Sequence, residues 1–221
     1  MGERLNAPGR AVADSVQELA SAVVLALDAE ASLDVQAGAD DPVVLAAARV
    51  LGADVLAPST LTSRSATEAE VALLDGALRR FPPNPGSPVS RWSHWGALVA
   101  LGRARPGVGE PETGWLADQS WPGLTHQLAG VAMLAALAPS SLTALAERRV
   151  EDLARGFVRA VRRSDWPQAA GAGRWLAAVN GVPESLGLDA GLDFVELMGA
   201  GDARVALHVR VARILRRSPV A

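Results

Sequence analysis

The chain has 221 residues, 24 acidic and 21 basic, for a formal charge of −3, and it contains no cysteine, no tyrosine and no lysine, so every basic residue is an arginine. The missing thiols exclude cysteine nucleophiles, disulfides and thiolate metal sites, and the missing amines exclude Schiff-base, phosphate-loop and kinase-type chemistry. Without a phenol as well, the groups left for catalysis are three histidines, carboxylates, hydroxyls and arginine, and the negative charge argues against nucleic acid or an anionic membrane as the general partner.

Alanine supplies 43 residues and leucine 29. Alanine favours helix at little entropic cost but buries little area, so leucine, valine and the rare aromatics must fill the core. A composition rich in Ala, Arg, Gly and Pro is that of a GC-rich bacterial genome. Charges scattered through residues 1–20 leave no apolar run for a secretory signal. The longest apolar run, Leu128 to Ala138, falls short of the roughly 20 residues that span a bilayer. A cytoplasmic, soluble protein is expected.

Val12, Val16, Leu19, Val23 and Leu27 recur at helical spacing and predict a first amphipathic helix. Asp41 as N-cap, Pro42 at the first position and Gly52 as terminator predict a second over 42–51, burying Val43, Val44, Val50 and Leu51. Ser65-Ala66-Thr67-Glu68 fits a capping box for a third, with Val71, Leu74 and Leu78 as its stripe. The proline-rich stretch 81–88 then reads as a linker. Arg91 to Arg103 predicts a helix carrying Trp92, His94 and Trp95, and 104–120 a long loop with one short turn. Pro122 to about Ala138 reads as an apolar, central helix. Pro139-Ser140-Ser141 opens a long amphipathic helix to about Arg163, and Asp165 with Pro167 opens another, closed at Asn180-Gly181. Leu188 to Met198 and Asp202 to Arg217 complete about eight. In the last, Val205, Leu207, Val209 and Val211 also alternate as a strand would; the surrounding helices and alanines favour helix.

The fold class is therefore all-α: an irregular bundle of about eight helices, which can be arranged as packed antiparallel pairs. It is read as a single helical domain over 1–221, with a subdivision at the linker into a three-helix part (1–81) and a five-helix part (89–221). No fixed-period motif supports a solenoid.

Four of the six tryptophans, Trp92, Trp95, Trp115 and Trp121, fall within 30 residues. Indoles beside Gly and Pro loops build flat-walled clefts for apolar, aromatic or cationic ligands, and equally fill a core made otherwise of small side chains. His94, His126 and His208 lie on largely apolar helices, where desolvation keeps an imidazole neutral and able to act as a base. No zinc-type spacing accompanies them, so no metal or other cofactor is expected. Asp189, Asp193 and Glu196 share one helical face near a helix start, where carboxylates suit the macrodipole.

Residues 1–75 carry a net −8 and residues 145–221 a net +3. The two ends can attract each other within the chain or between subunits of a homo-oligomer. On the 139–163 helix, Arg148, Asp152, Arg155, Arg159 and Arg162 project opposite the apolar stripe, with Glu147 and Glu151 beside them, as a solvated face of mixed sign or as a grip for phosphate or carboxylate. The leading functional expectation is a non-catalytic binding or adaptor protein that holds an apolar or aromatic small molecule, or a peptide, in a cleft of Trp92, Trp95, Trp115 and Trp121. The alternative is a cofactor-independent cyclase, lyase or hydrolase with His94 or His126 as base and Asp118 or another loop carboxylate orienting it.

Overall fold

A computed structural model describes residues 7–34, 41–62, 64–105, 107–137 and 139–217, and among them every regular element is helical. Residues 1–6, and Ala138 at the end of the expected central helix, lie outside the described residues. Helix α1 (Ala7–Asp28) buries Val16, Val23 and Leu27 of its predicted stripe, with Ala20 between them. Helix α2 (Pro42–Leu51) starts at its predicted cap, where Asp41 accepts a hydrogen bond from the Val43 amide at 2.7 Å, and stops at Gly52 with φ +58°. Its buried face is Leu45, Ala47, Ala48 and Leu51; Val43 and Val44 are half-covered, and Val50 is 45% exposed. The alanines set this face, because small residues let α1 and α4 approach that side.

The chain continues through a 3-10 turn, Gly52–Leu56, into α3 (Ala57–Thr60). Pro42–Thr60 has the length and apolarity of a membrane span, one such stretch among the described residues, but 61% of it is buried within the protein. It also carries Arg49 and Asp54, which reads as a core element. Helix α4 (Glu68–Arg80) is capped by Thr67 rather than Ser65. The capping box is Thr67 with Glu70, two residues later than the pattern chosen from sequence. Glu70 wins because its buried carboxylate also accepts from the Leu33 amide at 2.7 Å and from Arg64 at 2.7 Å, joining three segments. Burial works against this charge, but those bonds outweigh it and hold the Glu70 pKa below its ordinary value.

Arg49 fastens the proline-rich connection by donating to the Phe81 carbonyl, the Ser90 carbonyl and the Ser93 hydroxyl. Helix α5 (Pro88–Ala100) begins earlier than expected because Ser87 caps it and Pro88 occupies its first turn. After α6 (Gly114–Ala117) comes α7 (Trp121–Gly130), which gives way to a 3-10 turn over Ala132–Ala136. The long helix expected over 139–163 is two, α8 (Ser141–Arg148) and α9 (Val150–Arg162), broken where Arg149 takes φ −115°. Its guanidinium reaches the Ala117 and Gln119 carbonyls and so ties down the preceding loop. Such breaks account for more helical segments than the expected eight.

Helices α10 (Trp166–Ala178), α11 (Leu188–Met198) and α12 (Ala203–Arg217) follow, with a 3-10 turn at Glu184–Leu186. The central position belongs to α10, which packs on α7, α9, α11 and α12. Glycine makes this possible: a Cβ on Gly171 would lie 2.9 Å from the Ala129 backbone, and one on Gly173 2.7 Å from Leu192. Two apolar cores result, one formed mainly by α1, α2 and α4 and the other by α7 to α11. Helix α12 serves both, giving Leu207 and Val211 to the first and Val205, Val209 and Ala212 to the second. Burial on both sides explains its strand-like alternation of apolar residues.

Candidate functional site

Helix α9 packs inward through Leu153, Ala154, Phe157 and Ala160. At Gly156 it runs against Thr125 of α7, whose hydroxyl is bonded to the Trp121 carbonyl at 2.8 Å. Its outer face is left as the wall of an open groove of about 740 Å³, within the range of small-molecule sites. Trp121 and the Pro183–Leu186 turn complete its lining. Ala154, Val158, Pro183 and Leu186 supply apolar surface, and Arg155, Arg159, Arg162, Arg163 and Glu151 supply charge.

The arginines differ in what holds them. Arg155 faces Glu151 at 3.9 Å and Asp152 at 3.6 Å. The Arg159 guanidinium lies 5.4 Å from the centre of the Trp121 ring, a cation–π arrangement that orients both groups. Arg162 and Arg163 are exposed and, among the described residues, have no carboxylate partner. The result is an apolar floor with unneutralised positive charge at the C-terminal end of α9.

Of the four tryptophans expected to share a cleft, Trp121 lines this groove. Trp92 is fully buried and Trp95 is 5% exposed, packed edge to face with ring centres 5.2 Å apart. Trp92 and the half-buried Trp115 both donate to the Glu112 carbonyl, at 3.2 and 3.0 Å, which pins the loop before α6. Trp175, also fully buried, donates to the Leu128 carbonyl at 2.7 Å.

His94 sits half-buried on α5, where burial and the charge of Arg49 lower its pKa. His126 is not enclosed as expected: it lies on the outward side of α7, with Nδ1 3.2 Å from the Gln168 side-chain oxygen. Asp118 is exposed on the loop fastened by Arg149. Among the described residues no hydrogen bond joins His94, His126 and Asp118. Asp189, Asp193 and Glu196 are neutralised across helices, Asp189 by Arg216 at 2.9 Å, and Asp193 and Glu196 by Arg213 at 2.7 Å. No group of three metal-ligating side chains occurs among the described residues.

Sequence reasoning missed a buried polar centre where the two cores meet. Arg174 of α10, fully buried, donates to both oxygens of Asp54 at 2.6 and 2.7 Å, to the Met133 carbonyl at 3.2 Å and to Nδ1 of His208 at 3.1 Å. A guanidinium has no acceptor, so Nδ1 of His208 accepts and the neutral ring carries its proton on Nε2. Burial, reinforced by Arg174 and opposed by Asp54, pushes the His208 pKa down to about 4. The imidazole is therefore uncharged at neutral pH and presents a donor rather than a base. The cavity beside it, lined by Asp54, Gly130, Arg204 and His208 among others, is about 40 Å³, far too small for an organic ligand.

Compared with protein-family models, with curated proteins and with solved structures, the chain matches none.

Proposed function

We propose that this is a cytoplasmic, non-catalytic binding protein that holds an apolar or aromatic small molecule in the groove between Trp121, the outer face of α9 and the Pro183–Leu186 turn. The observation that carries the reading is the groove itself. It combines about 740 Å³ with apolar lining and an oriented indole, where Trp92 and Trp95 are committed to the core and Trp115 is half-buried against the loop before α6. A small molecule is favoured over a peptide because the volume falls within the range of small-molecule clefts. The acid–base alternative built on His94, His126 and Asp118 draws less support, since among the described residues no hydrogen bond links these three side chains.

The test is a fluorescence titration with N-phenyl-1-naphthylamine, an uncharged aromatic amine whose emission rises in apolar surroundings. Saturable binding of one probe per chain is expected, weakened about tenfold by Trp121→Ala, the scale of a lost aromatic contact surface. Absence of saturable binding, or binding indifferent to that substitution, refutes the reading.

A further inference from the structure

We propose that the ligand of this groove is an amphipathic anion: a small molecule with an apolar body and a terminal oxyanion such as carboxylate, phosphate or sulfonate. The inference rests on the binding function proposed above and specifies its ligand. Elsewhere in the fold, four arginines that reach between elements end on carboxylates. Arg174 meets Asp54, Arg210 meets Asp28, Arg213 meets Asp193 and Glu196, and Arg216 meets Asp189. At the groove Arg155 keeps carboxylate neighbours, but Arg162 and Arg163 have none among the described residues. Four arginines and one glutamate line the groove, a net of +3 from 4 − 1, in a chain whose total is −3.

The spacing sets these like charges against one another. Arg155 and Arg159, and Arg159 and Arg163, are like charges at i, i+4, and Arg159 and Arg162 at i, i+3, arrangements that destabilise a helix. An oxyanion placed between Arg159, Arg162 and Arg163 removes that repulsion. It also gains paired N–H donors from planar guanidiniums, the geometry that suits carboxylate and phosphate. Arg159 is held in place beforehand by the Trp121 ring, which lowers the entropy lost on binding. The apolar part of the ligand then lies along Val158, Ala154, Leu186 and Pro183. Nucleic acid does not fit this arrangement, because the positive charge is confined to one end of one helix and the rest of the chain is acidic.

The test pairs two probes with the same body. Equilibrium titrations with N-phenyl-1-naphthylamine are compared with 8-anilino-1-naphthalenesulfonate, its sulfonated counterpart. At low ionic strength the sulfonate is expected to bind about tenfold more tightly or better, the worth of one charge-assisted hydrogen bond. That advantage should shrink as salt is added. In the Arg162→Gln/Arg163→Gln variant, checked for unchanged helicity by circular dichroism, the ratio of the two affinities should fall towards one, and Arg162→Gln alone should lower it part of the way. Equal affinities for the two probes in the parent protein overturn the anionic ligand while leaving the binding function standing. Failure of both probes to saturate overturns the binding function itself. A ratio that survives in the double variant places the anion elsewhere and overturns this assignment. So does displacement of the sulfonate by hexaglutamate at lower concentration than by naphthyl phosphate, which would make the occupant an acidic peptide.

Discussion

Arg174→Met tests whether the two cores are locked together by charge. The substitution keeps much of the side-chain volume but removes both close partners of Asp54, at 2.6 and 2.7 Å, together with donors to the Met133 carbonyl and to His208. Asp54 is 3% exposed and borders a cavity of about 40 Å³, so water can replace only part of what it loses. An uncompensated buried carboxylate after removal of its partner costs about 3–5 kcal/mol, a large share of the ~5–15 kcal/mol by which domains are stable. Asp54→Leu should cost a similar amount by stranding the guanidinium. In Asp54→Leu/Arg174→Met no charge is stranded, and the remaining loss is the unpaired Met133 carbonyl and His208 nitrogen, at about 1–3 kcal/mol. The double variant is thus expected to be more stable than either single one. The assay is urea unfolding at pH 7 followed by tryptophan emission, carried through the full double-mutant cycle. A double variant whose loss equals the sum of the two single losses, within about 1 kcal/mol, would refute the coupling.

His208 makes stability depend on acid: its folded pKa of about 4 lies below its ordinary 6.5, so the unfolded chain binds the extra proton between these values. The contribution is complete above pH 6.5 and is lost as pH falls towards 4, by about 3 kcal/mol; urea midpoints for His208→Gln should show a flatter profile over that interval. Gly156→Ala and Gly171→Ala should each destabilise by about 1–3 kcal/mol despite the better helix propensity of alanine. The added methyl would meet Thr125 at 1.9 Å in the first and the Ala129 backbone at 2.9 Å in the second, whereas Gly114→Ala, with open space around it, should be neutral or stabilising in thermal melts. Glu70→Ala removes the acceptor shared by Leu33, Arg64 and Thr67 and should cost about 2–4 kcal/mol, with faster amide exchange at Leu33 as its local signature.

Local signals carried the helices. Asp41-Pro42 ahead of α2, Ser140 ahead of α8 and Asp165 ahead of α10 each cap the helix that the sequence predicts there, because a cap needs only residues two or three positions apart. Where two local patterns overlapped, distance in the chain decided. Ser65 with Glu68 and Thr67 with Glu70 are equivalent as strings, but Glu70 is selected by Leu33, which lies 37 residues away. The breaks at Arg149 and after Gly130 were hidden for the same reason, since apolar periodicity continues across them while the backbone turns.

The groove was half visible. The outward arginine face of α9 is a property of one helix and can be read from 3.6-residue spacing. Its conversion into a wall depends on the turn at Pro183–Leu186 and on Trp121 arriving from other parts of the chain, which no spacing within α9 encodes. The tryptophan cluster misled in the opposite direction: Trp92 and Trp95 are near neighbours of Trp121 in sequence, but α5 turns them inward while the start of α7 leaves Trp121 at the surface. The buried centre did leave a trace. Asp54 is a lone acid between Arg49 and Thr60, and Arg174 a lone base within Ala169–Leu176, each in an otherwise apolar helical stretch. Charges of opposite sign that are set alone in core helices must find each other, because neither is stable when buried unpaired. That inference requires only the assumption that both helices are buried, and it identifies the contact between the two cores more directly than hydrophobic periodicity, which assigns each helix a face but no partner.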